Sequence, residues 1–208
     1  MNIIKALNWR YAVRQFSDEV IDEHHLQELL NAARLSASSY GLQPYQLLVV
    51  QSADIRQKLL AHSMGQDKVA HCSHLLILAA RTNIGDDIVS HYMQKLSTAR
   101  EIPLADLQGF SDHIKRGFEI MSEQQKQDWA HQQAYIALGN LLTCAAIMHI
   151  DTCPMAGFEA ESYDKVLGLA EKNLTTTVIC PIGKRHPNDS TAYMQKVRLD
   201  HDEMVIRL

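Results

Sequence analysis

DWAHQQAYIALGNLLTCAAIMHI, Asp128 to Ile150, is the most apolar helical stretch of the chain and is long enough to run through the centre of a fold. The elements on either side of it are shorter and alternate in character. Immediately after it, DTCPMAGFE (Asp151 to Glu159) breaks the helix with Pro154 and Gly157, and TTTVICPIG (Thr175 to Gly183) reads as a β-branched strand. Before it, residues 86 to 127 are polar and mostly helical in pattern, which predicts a helical excursion with little deep core. Further back, HLLILAART (His74 to Thr82) reads as a fully buried strand and QLLVVQ (Gln46 to Gln51) as another. DIRQKLLAHSM, between these two strands, looks helical. DEHHLQELLNAARLS is a clear helix: Asp22 can cap it, and Leu26, Leu29, Leu30 and Ala33 make one apolar stripe. Residues 2 to 9 suggest a short first helix, and SASSYGLQPY is a loop broken by Gly41 and Pro44. The tail ends in EMVIRL, which is strand-like, and a terminal strand needs a sheet edge that can belong to another subunit.

The 208 residues, without internal repeat or linker, suit a single domain spanning 1–208. Hydrophobic residues make up 46% and charged residues 21%, the profile of a soluble globular protein. With 20 Lys and Arg against 24 Asp and Glu, the net charge is 20 − 24 = −4, which argues against a general nucleic-acid binder. No apolar run is long enough to cross a bilayer, and the N-terminus lacks a convincing signal-peptide pattern. Cys72, Cys144, Cys153 and Cys180 are widely spaced and read as reduced thiols of a cytoplasmic protein. The fingerprints of a Rossmann dinucleotide site, a P-loop and a hydrolase nucleophile elbow are all missing. HCSH (His71 to His74) alternates faces at the start of a strand and cannot converge on one metal ion.

Four features remain. NWRYAVRQF places Arg10 and Arg14 four residues apart, and a guanidinium fork suits a phosphate or carboxylate. Ser38 and Ser39 offer hydroxyls beside Gly41, where backbone can approach a ligand closely. The PMAG turn, Pro154 to Gly157, suits a flat ligand lying against main chain. Lys196 and Arg198 alternate in an extended segment and would point to the same side. Taken singly, each reads as ordinary surface charge or an ordinary turn; their order along the chain gives them weight.

That order resembles the FMN-dependent nitroreductases over nearly the whole chain. The resemblance runs through the Arg box before Phe16, the amphipathic second helix, and the loop holding Ser39, Gln43, Pro44 and Tyr45. It continues through GQDKVAHCSHLLIL, YIALGNLL, PMAGF and the terminal KVR. It implies an α+β fold with a mainly antiparallel sheet wrapped by helices. It also implies an intertwined homodimer whose C-terminal strand completes the partner's sheet, with FMN at the interface. By resemblance, Arg10, Lys196 and Arg198 hold the FMN phosphate and ribityl side, and Arg14 lies near the pyrimidine end of the ring. Ser38 and Ser39 reach the cofactor from the opposite subunit, with Gly41 in the same loop, and Gln66 and Lys68 bond the ring edge. Pro154, Met155, Ala156 and Gly157 form the floor, a backbone N–H of that turn facing flavin N5. Ala12 stands where many members have Ser and loses a hydroxyl contact. Ala156 replaces an acidic residue of some members, and Gly41 and Tyr45 stand where others have Asn and Trp. The implied reaction is ping-pong reduction of nitroaromatics, quinones or related acceptors by NADH or NADPH, with no side-chain acid or base required. The alternatives are an enone, pteridine or flavin reductase on the same fold, or a flavin holder with little turnover.

Overall fold

The computed structural model describes residues 2–208. Its frame is one sheet of four strands, β1 (Tyr45–Val50), β2 (His74–Arg81), β3 (Asp151–Thr152) and β4 (Leu174–Gly183). Their order is β1-β2-β4-β3 and every pairing is antiparallel. Around it wrap α1 (Ile3–Trp9), α2 (Glu23–Arg34), α3 (Ala53–Leu60), α4 (Lys68–His71), α5 (Asp86–Arg100), α6 (Gln108–Glu119), α7 (Glu123–Ile147), α8 (Ala160–Leu167) and α9 (His201–Met204). This is the α+β architecture expected.

β2 explains the continuous apolar run. It lies between β1 and β4, and its two faces are covered by different helices, so its side chains are buried on both sides. Leu76 and Leu78 point toward α2 and α7, where they meet Leu26, Leu29, Ala137 and Leu141. Leu75 and Ile77 point the other way, into a second cluster with Val13, Phe16, Leu59, Val69, Met155 and Tyr163. The pleat alternates the residues, and helices on both sides leave no polar face to encode.

α7 begins at Glu123, five residues before the expected start. Ser122 and Gln125 form a capping box: the Ser122 hydroxyl accepts from the Gln125 N–H at 3.2 Å, and the Gln125 side chain accepts from the Ser122 N–H at 2.8 Å. Ala130, Ala134, Ala137 and Ala145 are buried along it, small side chains that allow close packing on the sheet and α2. Asp22 caps α2 as expected, accepting from the His25 N–H at 2.9 Å.

One expectation needs correction. The stretch from 86 to 127 is not poor in core. Ile88, Val89, Met93 and Leu96 of α5 close onto Ile114 and Phe118 of α6, with Leu107 and Ala130, as a cluster of their own. A helix pair needs only one apolar stripe from each partner, so a polar average hid it. The tail finds no strand partner within its own chain. Glu203 and Met204 end α9, and Val205 to Leu208 pair with no strand among the described residues. A strand needs an edge, and within the single chain Ile206 stands 81% exposed.

All four cysteines are free. Cys72, Cys153 and Cys180 are buried and Cys144 is half-buried. Burial pushes the Cys72 thiol up to about 12 and also raises Cys180 and Cys144. Among the described residues, no helix is long and apolar enough to cross a membrane.

Candidate functional site

The two ends of the chain meet at one pocket. Arg10 closes α1, its N–H donating to the Ala6 carbonyl at 3.0 Å. The chain then runs beside β3: Ala12 bridges Thr152, and the Val13 N–H donates to the Thr152 carbonyl at 3.4 Å. This pairing brings the arginine segment alongside the approach to the PMAG turn. From the other end, Lys196 and Arg198 return to α1. Together with Trp9, Arg10, Ala12 and Thr191 they line a cavity of about 400 Å³, which has no carboxylate among its lining residues.

The Arg10 Nε is buried with no hydrogen-bond partner. Burial lowers the Arg10 pKa, and Arg198 lowers it further. Lys196 is lowered too, by burial first and then by Arg10 and Arg198. Three cations drawn together without an acid, one holding an orphaned buried donor, are incomplete without an anion. A phosphate fits that deficit in charge and in hydrogen bonds.

Arg14 opens onto a second cavity, about 460 Å³, with Phe16, Asp67, Lys68, His71 and His186. Lys68 is only 8% exposed and makes no ion pair among the described residues, an uncommon state for lysine. Gln66 ties this region to the PMAG turn, its Nε2 donating to the Gly157 carbonyl at 3.0 Å. Met155 exchanges backbone hydrogen bonds with Ile179 at 2.8 and 3.2 Å, and its side chain is buried beneath the turn. Pro154 and Gly157 are half-buried and Ala156 is exposed.

Ser38, Ser39 and Gly41 line neither cavity of their own chain. The Ser38 hydroxyl accepts from the Gln43 N–H at 3.1 Å, and the Ser39 N–H donates to the Gln133 side chain at 2.8 Å. Gly41 has φ +79°, and a Cβ there would lie 2.8 Å from the Tyr92 hydroxyl. Its conformational freedom serves this turn and its packing on α5. Tyr40, between them, has φ 54° and stands 44% exposed, edge-on to Phe110 and His113 of α6 at 6.0 Å each.

Three supporting residues gave no sequence signal. Asp189 is buried, and its carboxylate accepts from the N–H groups of Arg14 (2.8 Å), Gln15 (3.1 Å) and Thr191 (3.0 Å) and from the Tyr11 hydroxyl (3.1 Å). Burial pushes its pKa up, but the N–H donors outweigh that and hold it below the usual carboxylate range. Asp151 is 4% exposed and takes both Nε and Nη2 of Arg185, at 2.9 and 2.6 Å. The Arg185 guanidinium in turn lies over the Trp9 and Tyr11 rings, 4.2 and 4.6 Å from their centroids. Asp189 sits in HPNDS, which reads as a turn and no more.

A comparison with known families matches residues 7–184 to the model described as the Nitroreductase family. The chain belongs to the nitroreductase family. It is similar to a Staphylococcus saprophyticus protein provisionally named an NAD(P)H nitroreductase, 33% identical over 212 residues and covering 98% of this chain and 95% of that protein. Among solved structures, a Bacillus subtilis protein provisionally called a nitroreductase superposes with a TM-score of 0.87 at 22% identity, over 99% of this chain and 98% of that one. An Exiguobacterium sibiricum protein with the same provisional description, solved in complex with FMN, superposes at 0.85 with 16% identity, over 100% and 98% of the two chains. At such identities the two structures establish a shared fold, the nitroreductase fold.

Proposed function

We propose that this chain is an FMN-dependent oxidoreductase that uses NADH or NADPH to reduce flat, electron-poor acceptors such as nitroaromatics and quinones, working as a homodimer by a ping-pong scheme. The observation that carries the reading is the carboxylate-free pocket of Arg10, Lys196 and Arg198 with its orphaned Arg10 Nε. The family membership and the FMN complex of a fold neighbour support it. When bound, FMN supplies the acceptance and donation of hydride; the chain binds and orients.

Arg10 and Arg198 would pair with the phosphate. Arg14 and Lys68, in the adjoining cavity with Gln66 close by, would place positive charge against the polar end of the ring. The turn from Pro154 to Gly157 would back the ring with main chain, and Ala12 offers no hydroxyl. Ser38, Ser39 and Gly41 would reach the cofactor of the partner subunit. Tyr40 and Phe110 would contact the acceptor there, whereas Phe118 is buried in the core between α5 and α6. No side chain is assigned as acid or base. For the dimer, the support is exposed apolar surface: Tyr135, Ile136 and Ile147 on α7, and Val205, Ile206 and Leu208 on the unpaired tail.

The test is direct. Purified protein is heated and its released cofactor chromatographed, then the intact holoprotein is titrated with NADH and NADPH under anaerobic conditions. Stoichiometric FMN that bleaches and is reoxidised by a quinone, a nitroaromatic or an enone is the expected result. Stoichiometric FAD, or a flavin that neither nucleotide bleaches, would overturn the reading.

A further inference from the structure

We propose that Arg185 is a positioning residue for the cofactor phosphate: by gripping the rings of Trp9 and Tyr11 it limits the main-chain torsions of Arg10 and aims that guanidinium into the anion pocket. The proposal rests on the FMN reading above, and it gives a role to a cation that lines neither cavity. Arg185 follows β4 and reaches back to β3. Its Nε and Nη2 donate to one oxygen of Asp151 at 2.9 and 2.6 Å, and its backbone N–H donates to the other at 2.8 Å. Asp151 is buried, so this is a fixed strut and not a loose surface pair. With one edge of the guanidinium held by the carboxylate, its flat faces are free to stack on aromatic rings. Trp9 and Tyr11 take that place, their centroids 4.2 and 4.6 Å from it.

Arg10 is the one residue between those two rings. Peptide units are planar, so the path from the Cα of Trp9 to the Cα of Tyr11 has only two soft torsions, the φ and ψ of Arg10. A cation that holds both rings restricts both torsions. They stand at φ −71° and ψ 145°, extended backbone at the end of α1. The rings have second contacts of their own. Trp9 meets the His149 ring edge-on at 5.0 Å, and the Tyr11 hydroxyl donates to Asp189 at 3.1 Å. From this backbone the Arg10 side chain lines the pocket it shares with Lys196 and Arg198, its Nε buried and unpartnered. A guanidinium already turned toward the anion has less freedom to lose on binding than one that must find it.

The experiment compares the affinity of the full-length protein for FMN with its affinity for riboflavin, which lacks the phosphate. It also follows the Arg10 Nε–H by NMR, assigned by its loss in Arg10→Lys; this proton is buried, so its exchange with water is slow. The first variant is Asp151→Asn with Arg185→Gln, a neutral pair that strands no buried charge. The second is Trp9→Leu, which removes a ring and leaves the Asp151–Arg185 pair whole. In each, the preference for FMN over riboflavin should fall several-fold, and the Arg10 Nε–H should exchange about tenfold faster or more. Combining the two should lower the preference no further than the larger single effect, since both act through one contact. A lower melting temperature with the preference and the Nε–H unchanged makes the pair a tie between β3 and β4 alone and overturns the proposal. An additive fall in preference also overturns it, because Arg185 would then act on the phosphate without the rings. If wild type binds FMN no better than riboflavin, or binds neither, the FMN reading falls instead. The Nε–H of the protein as purified, wild type against both variants, then still decides whether Arg185 sets Arg10. Should the neutral pair not fold, Trp9→Phe is set against Trp9→Leu: wild-type values in the aromatic replacement alone support the role of the ring, and equal readouts in the two overturn it.

Discussion

Replacing Asp189 by Ala removes an acceptor that four donors share: the backbone N–H groups of Arg14, Gln15 and Thr191 and the Tyr11 hydroxyl. Asp189 is only 3% exposed, so water does not readily take its place. Each buried donor left without a partner costs roughly 1–3 kcal/mol, and hydrogen bonds to a charge lie at the upper end. These costs are not additive where groups share a network. Counting the two firmest backbone donors in full and discounting the rest gives a loss of about 3–5 kcal/mol. For a chain of this length that is a fall in Tm of about 6–20 °C, at roughly 2–4 °C per kcal/mol. The pH dependence has a definite sign. The folded carboxyl ionises below its unfolded counterpart, so its stabilisation is complete above the unfolded pKa of about 4 and is lost as pH falls through the lower folded value. Denaturant melts of wild type and Asp189→Ala between about pH 7 and about pH 3 should therefore converge toward the acid end. A loss below about 1 kcal/mol at neutral pH, or a gap that widens in acid, would refute the reasoning.

Phe118→Ala should cost about 3–5 kcal/mol by opening a cavity against Trp129, 5.1 Å away ring to ring, with no change in the ratio of kcat/KM between two acceptors. Phe110→Ala, at a half-exposed site, should show the reverse pattern: unchanged FMN content, melting within a degree or two, and a shifted acceptor ratio measured with a quinone and a nitroaromatic. Deleting residues 199–208 should yield aggregated or flavin-poor protein by size-exclusion chromatography and absorbance, and a soluble FMN-loaded monomer would remove the tail from the dimer.

The strands and the main helices were legible because their chemistry is local. β2 and β4 announce themselves by β-branched and leucine runs, and α2 by its cap and stripe. The α5–α6 core was not legible, since Val89, Met93, Ile114 and Phe118 meet only across the gap between two helices. At the site, Arg10, Lys196 and Arg198 were named from residue type and order, and the chain brings all three to one cavity. What surrounds each there was beyond reach, because the Lys196 ammonium donates to the carbonyls of Leu7 and Arg10, 186 residues or more away in sequence. Asp189 stayed hidden for the same reason: its value lies in donors more than 170 positions away. The packing of Tyr92 against Gly41, which leaves no room for a Cβ, was likewise invisible, because the two residues lie 51 positions apart.

The seclusion of the cysteines bears on self-inflicted damage. Quinones alkylate thiolates, and an enzyme that holds such electrophiles at high local concentration risks arylating its own surface. Here Cys72, Cys153 and Cys180 lie out of reach, and the raised pKa of Cys72 and Cys180 leaves those two almost wholly as thiols at neutral pH. Only Cys144 is partly accessible, and its thiol is also raised. If the chain reduces quinones as proposed, it is in this sense chemically deaf to its own substrates, and should outlast many turnovers in the presence of quinones that would silence a protein with a surface thiolate.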